Sequence, residues 1–146
     1  MRIKVTLAIS IATAATFAVA PTAHAGGGGG YQFQSPDGNI ACAMGVNEAG
    51  NATAGCDIGN HSYAPPPKPA NCHLGWGDRF SLQQGSAAVL DCHGDTLRVP
   101  GLATLGYGEK RSVGPLTCDS ETASMTCTDS STGHFFSVSP TSYQLG

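Results

Sequence analysis

"LTCDSETASMTC", Leu116 to Cys127, contains two cysteines, each preceded two positions earlier by a large apolar residue. Residues two apart on a strand share a face. Leu116 with Cys118, and Met125 with Cys127, therefore mark the inward faces of two half-buried strands. The interval between them can hold a hairpin, so the stretch reads as a pair of strands joined by a disulfide. The rhythm recurs in "IAC" and "LDC", where Ile40 precedes Cys42 and Leu90 precedes Cys92. The intervals are unequal, so this is an internal echo and not a repeat.

All six cysteines, Cys42, Cys56, Cys72, Cys92, Cys118 and Cys127, lie beyond residue 40. The count is even, and no pair has the C-x-x-C spacing of zinc knuckles or thiol oxidoreductases. Three disulfides follow. Spacing alone does not choose among the possible connectivities. Nearest-neighbour pairing (42–56, 72–92, 118–127) is the expectation, because each interval can hold a hairpin. Each such bridge contributes roughly 3 kcal/mol on the chain-entropy model, useful in a chain poor in large core residues.

Between the cysteines the chain reads as strands and turns. "SPDGN", Ser35 to Asn39, is turn chemistry leading into Ile40. Glu48 to Gly55 is a polar hairpin tip. "APPPKPA", Ala64 to Ala70, is a rigid polyproline-type connection whose loose P-x-x-P match carries no further weight. Arg79–Gln84 and Ala87–Cys92 are two short strands around Gly85. Residues 134–143 alternate, with Phe136 and Val138 on one face. Repeated Gly and Pro in "PGLATLGYG" exclude a long helix. No apolar stripe of helical period is long enough for an amphipathic helix. The expected fold is all-β: one small domain of short antiparallel strands and hairpins stapled by three disulfides.

The first 25 residues read differently. A basic start (Arg2, Lys4), an uncharged apolar stretch from Val5 to Ala20, and the small residues Ala23 and Ala25 form a secretory signal pattern. The apolar stretch is shorter than the roughly 20 residues of a membrane span. Cleavage after Ala25 leaves 121 of the 146 residues, and losing Arg2 and Lys4 takes the formal charge from −3 to −5. The expected organisation is a signal at 1–25, a Gly-rich tether at 26–32 and the β domain at 33–146. The destination is extracellular, with envelope association open. An acidic chain with five remaining Lys and Arg is a poor match for nucleic acid or for anionic lipid. A stable membrane span is not expected after cleavage.

No G-x-S-x-G, H-E-x-x-H or phosphate-cradling Gly-rich motif is present. Six paired cysteines would leave no thiol nucleophile. No catalytic residue, cofactor or metal is therefore assigned. The one constellation worth weighing is "LDCHGDTL", Leu90 to Leu97. On a continuous strand Asp91, His93 and Asp95 would share a face. A 72–92 bridge would bring His73 near Asp91 and diagonally near His93, and two imidazoles with a carboxylate can hold zinc with one position open. The preferred reading keeps Leu90 and Cys92 inward and Asp91 and His93 in solvent, with Asp95 in a turn. Trp76, set in "GWGDRF", is read as core filler, or as a binding patch if exposed. The sequons at Asn51 and Asn60 matter only in a glycosylating host.

"SPDGNIAC", "GWG", "LQQGSAAVLDCHGDT", "YG", "GPLTC" and "MTCTDSSTGHFFSVS…Y" follow one another in an order that resembles a family of small exported actinobacterial proteins, mycobacterial ones included. That family is a domain of unknown function. The resemblance covers most of residues 33–145. It departs at Phe135, where the family often has Gly after the His of "TGH". It implies a bacterial exported domain without N-glycans and carries over no catalytic residue. The function expected is non-enzymatic binding to an envelope, host or environmental protein or ligand. The alternative is a small metal-binding protein or hydrolase using His73, Asp91 and His93.

Overall fold

The computed structural model describes residues 30–146. The expected signal at 1–25 and most of the expected tether lie outside them. The described residues contain eleven strands and no helix: β1 (Tyr31–Gln34), β2 (Ile40–Val46), β3 (Ala52–Ile58), β4 (Arg79–Gln83), β5 (Val89–Leu90), β6 (Ala103–Thr104), β7 (Lys110–Val113), β8 (Leu116–Ser120), β9 (Met125–Asp129), β10 (Phe135–Val138) and β11 (Tyr143–Leu145). Strand structure begins at Tyr31, inside the segment expected to be tether.

The strands form two sheets. One has the order β5-β4-β3-β2-β1-β6, the other β11-β10-β9-β8-β7. Their inner faces meet through Ile40, Cys42, Leu116, Cys118, Met125 and Cys127 of the cysteine rhythm, but not through its Cys92. Cys42, Cys56 and Phe80 from the first sheet join Leu116, Cys118, Cys127 and Phe136 from the second in one buried cluster. Strands β8 and β9 alternate buried and partly buried residues along their whole length, as period-two patterning requires. Cys118 pairs directly with Cys127 in the register, and Cys42 with Cys56. The disulfides are 42–56, 72–92 and 118–127, with no free cysteine.

Asp129, wholly buried at the end of β9, ties the sheets together. It accepts the Gly85 N–H at 2.7 Å from the β4–β5 turn and the Ser131 N–H at 2.8 Å from its own turn. Hydrogen bonds from Ser131, then that from Gly85, hold its carboxyl below the ordinary value. A buried carboxylate fed by donors is stable as the anion.

One connection shapes the outer face of the first sheet. β5 and β6 occupy opposite edges of the first sheet, so residues 91–102 must cross that sheet. The inner face is filled by core, so the segment crosses the outer face as a strap. It arrives from the far side and lays β6 parallel to β1, Phe33 opposite Ala103. Among the described residues this is the one parallel pair; the other strand pairs are antiparallel.

Candidate functional site

The strap and the uncovered sheet beside it form the candidate site. Three register rows run across the outer face. Ala41, Asp57 and Arg79 make the first row. Ala43, Gly55, Ser81 and Val89 make the second, and Gly45, Thr53 and Gln83 the third.

The strap covers the first row. Arg79 donates from Nε to Asp57 Oδ1 at 2.6 Å and from Nη2 to Asp57 Oδ2 at 2.9 Å, a two-pronged pairing of planar groups. Its Nη1 reaches Asp95 Oδ1 on the strap at 2.6 Å. Asp57 Oδ2 also accepts the Leu97 N–H at 2.7 Å. Asp57 and Arg79 are buried, at 1% and 9% exposure. Their charges are paired and hydrogen-bonded, as burial demands. The Asp57 hydrogen bond, chiefly, holds Arg79 charged at any accessible pH. Arg79 in turn holds the exposed Asp95 carboxyl below its ordinary value.

The acid–imidazole–acid stripe does not form. β5 ends at Leu90; past it the pairing continues only through the Asp91 N–H donating to the Arg79 carbonyl at 3.0 Å and an isolated bridge between His93 and Gly75. The expected facing is therefore corrected: Cys92 is exposed, while the His93 side chain is only 10% exposed. The backbone turns away to begin its crossing, so alternation does not carry past Leu90. Asp91 accepts a hydrogen bond from the Ser81 hydroxyl. Asp95 takes Arg79. His93 lies between Asp78 Oδ1, 3.0 Å from Nε2, and the Asp95 carbonyl, 2.7 Å from Nδ1. His73 is exposed on the loop before β4. Among the described residues no group of three His, Cys, Asp or Glu is placed to hold a metal ion. Asp91, His93 and Asp95 are brought together as three separate fastenings of the strap.

A carbonyl and a carboxylate both accept, so the imidazole satisfies them best as a cation with two N–H donors. Burial opposes that charge, but the bonds to Asp78 and to the Asp95 carbonyl outweigh it and raise the His93 pKa above its ordinary value. A raised folded-state pKa means stability present in full below the unfolded value, near 6.5, and lost as pH rises through the folded one. Between about pH 5 and about pH 8, the melting temperature of the wild-type chain should fall relative to that of His93→Gln. Parallel curves would show that the ring is not charged in the folded protein.

Trp76 is a second correction. It is half-buried and outside the core, donating from Nε1 to the Pro66 carbonyl at 3.0 Å. Pro65 packs where a Cβ on Gly77 would stand, 2.7 Å from its Cγ, and Gly77 has φ +99°. Gly77 serves the proline-rich loop, which this tryptophan props up, whereas a Cβ on Gly75 would meet His93.

The second and third rows are left open by the strap. They floor a groove of about 550 Å³ lined by Ala43, Gly55, Ser81 and Thr53, with Leu97 of the strap on one side and Val89 on another. The groove exists because Ala43 and Gly55, in the middle of the sheet, carry almost no side chain. The nearest atoms that a Cβ on Gly55 would meet are Phe80 O and Ser81 Oγ at 3.7 Å and Leu97 Cδ1 at 3.8 Å, ordinary contact distances. Arg79 touches its end, but that cation is committed to Asp57 and Asp95. The groove offers hydroxyls, the Gln83 amide and the Asp91 carboxylate. Sequence reasoning did not find it, since Gly55 and Ser81 look like ordinary strand residues until the register aligns them.

A family model described as a family of unknown function, DUF6636, matches residues 10–145. No curated protein and no solved structure matches the chain.

Proposed function

We propose that this chain, which belongs to the DUF6636 family of unknown function, is an exported, non-enzymatic binding domain that takes its ligand in the groove beside the strap. The groove carries this reading. It is a concavity on a rigid sheet, within the size range of small-ligand sites, and its neighbouring loop is fastened by a buried ion pair. Sites held on rigid elements lose little entropy on binding. Export is supported by the signal pattern of residues 1–25 and by three disulfides, which suit an oxidising compartment. Among the described residues no helix is long and apolar enough to cross a membrane.

The ligand class follows from the lining. With Arg79 neutralised and Asp91 the remaining charge, the groove favours a neutral or cationic hydrogen-bonding ligand over an anion. Soluble glycan fragments, neutral peptides and lysine-containing peptides are the probes, read by native mass spectrometry. Gly55→Val fills the floor while suiting a strand. It should weaken binding by about tenfold or more with little change in melting temperature. Undiminished binding by the folded variant, or binding only of anionic probes, would reject the groove as the site.

A further inference from the structure

We propose that Cys56 and Cys127 form a thiol–disulfide exchange site in the core, able to convert two within-sheet bridges into one bridge between the sheets. The two sulfurs are 3.9 Å apart. Both are oxidised, to Cys42 and to Cys118, so neither carries a hydrogen and the contact joins two disulfides directly. Cys56 lies on β3 of the first sheet and Cys127 on β9 of the second. Each of the three bridges joins residues on one side of the sandwich, leaving the two sheets without a disulfide between them.

Exchange proceeds by attack of a thiolate on a neighbouring disulfide sulfur. A thiolate at Cys56 already touches the Cys127 sulfur. Attack forms the Cys56–Cys127 bond and breaks Cys118–Cys127. The electron pair leaves on the Cys118 sulfur, which takes up the proton lost by Cys56. One thiol enters and one leaves, so no oxidant is needed. The mirror reaction starts from a thiol at Cys127 and releases Cys42. All four residues are at most 1% exposed, so small thiols in solution compete poorly with a partner held in contact. The first thiol arises when a thiol reductant opens one core bridge. The exchange then keeps the core cross-linked, with the two sheets joined covalently.

Cys42→Ser supplies the Cys56 thiol without any reductant. The full chain is exported to an oxidising compartment, acid-quenched, alkylated and mapped by peptide mass. The expected result is loss of the Cys118–Cys127 peptide, gain of a Cys56–Cys127 peptide and alkylation of Cys118. Retention of Cys118–Cys127 with Cys56 alkylated would overturn the proposal. Cys118→Ser is the mirror test, expected to give Cys56–Cys127 with Cys42 alkylated; an intact Cys42–Cys56 bridge would count against it. If neither variant accumulates as folded protein, wild-type chain is titrated with dithiothreitol until one core bridge is lost. A Cys56–Cys127 peptide at that point supports the exchange, and its absence refutes it.

Discussion

Replacing Asp57 with alanine should destabilise the protein by about 3–5 kcal/mol, the usual range for stripping one partner from a buried ion pair. The cost arises because Arg79 stays behind, buried and deprived of both short bonds to Asp57. The strap loses its anchor at the same time, because the Leu97 N–H donates to the same carboxylate. Thr96, whose hydroxyl lies 3.4 Å from it, is released as well. Two readouts should move together. Urea unfolding reports the global loss, and hydrogen exchange at the Leu97 amide reports the freed strap. A loss below about 1 kcal/mol, the scale of an exposed ion pair, with Leu97 still protected, would mean that the strap is held by other contacts. Asp57→Asn keeps the shape and removes the charge, so it should fall between the two.

Phe80→Ala is expected to cost a similar amount, about 3–5 kcal/mol, through loss of apolar contact and the cavity left behind. Phe80 is fully buried and meets three other aromatic rings. Its ring centroid lies 5.9 Å from Phe136, 5.3 Å from Tyr143 and 6.3 Å from Tyr63. Phe136 belongs to the second sheet, so these contacts help to hold the sandwich closed. Tyr63 also donates to the Gly77 carbonyl at 3.0 Å, linking the cluster to the entry of β4. Near-ultraviolet circular dichroism should weaken along with the fall in melting temperature, because the tyrosines lose their fixed neighbour. Phe80→Leu preserves most of the volume and should cost well under half as much. An unchanged near-ultraviolet spectrum in Phe80→Ala would show that the tyrosines are ordered without Phe80.

The inward faces of β8, β9 and β10 were legible because period-two alternation and the Leu-x-Cys and Met-x-Cys spacing are local patterns. Their hairpin partners are also near in sequence, so local order sufficed to anticipate the 118–127 bridge. Ser81 and Gly55 were not legible as a groove floor, since they belong to different strands and meet only through the register. His93 failed for a related reason. Its apparent place in an alternating stripe depended on β5 continuing, and the chain leaves the sheet at Leu90 to cross it. The partners of Asp57 and Arg79 on the strap lie far along the chain, and no spacing rule connects them.

Composition, cysteine parity and alternation by themselves determined an all-β domain of short strands held by three disulfides. Those properties depend on residue type and on neighbours a few positions away, where strand geometry acts directly. Only the tertiary structure decided that Asp91, His93 and Asp95 fasten a strap, that Trp76 supports a proline-rich loop, and that Cys56 touches Cys127 across the sandwich. The strap and the sulfur contact follow from the strand order, with β5 and β6 at opposite edges and two sheets closed face to face, and the tryptophan prop from the way the 59–78 connection folds back on itself. Strand order is settled by how the whole set of apolar faces can be buried at once, and no short stretch of the chain contains that information.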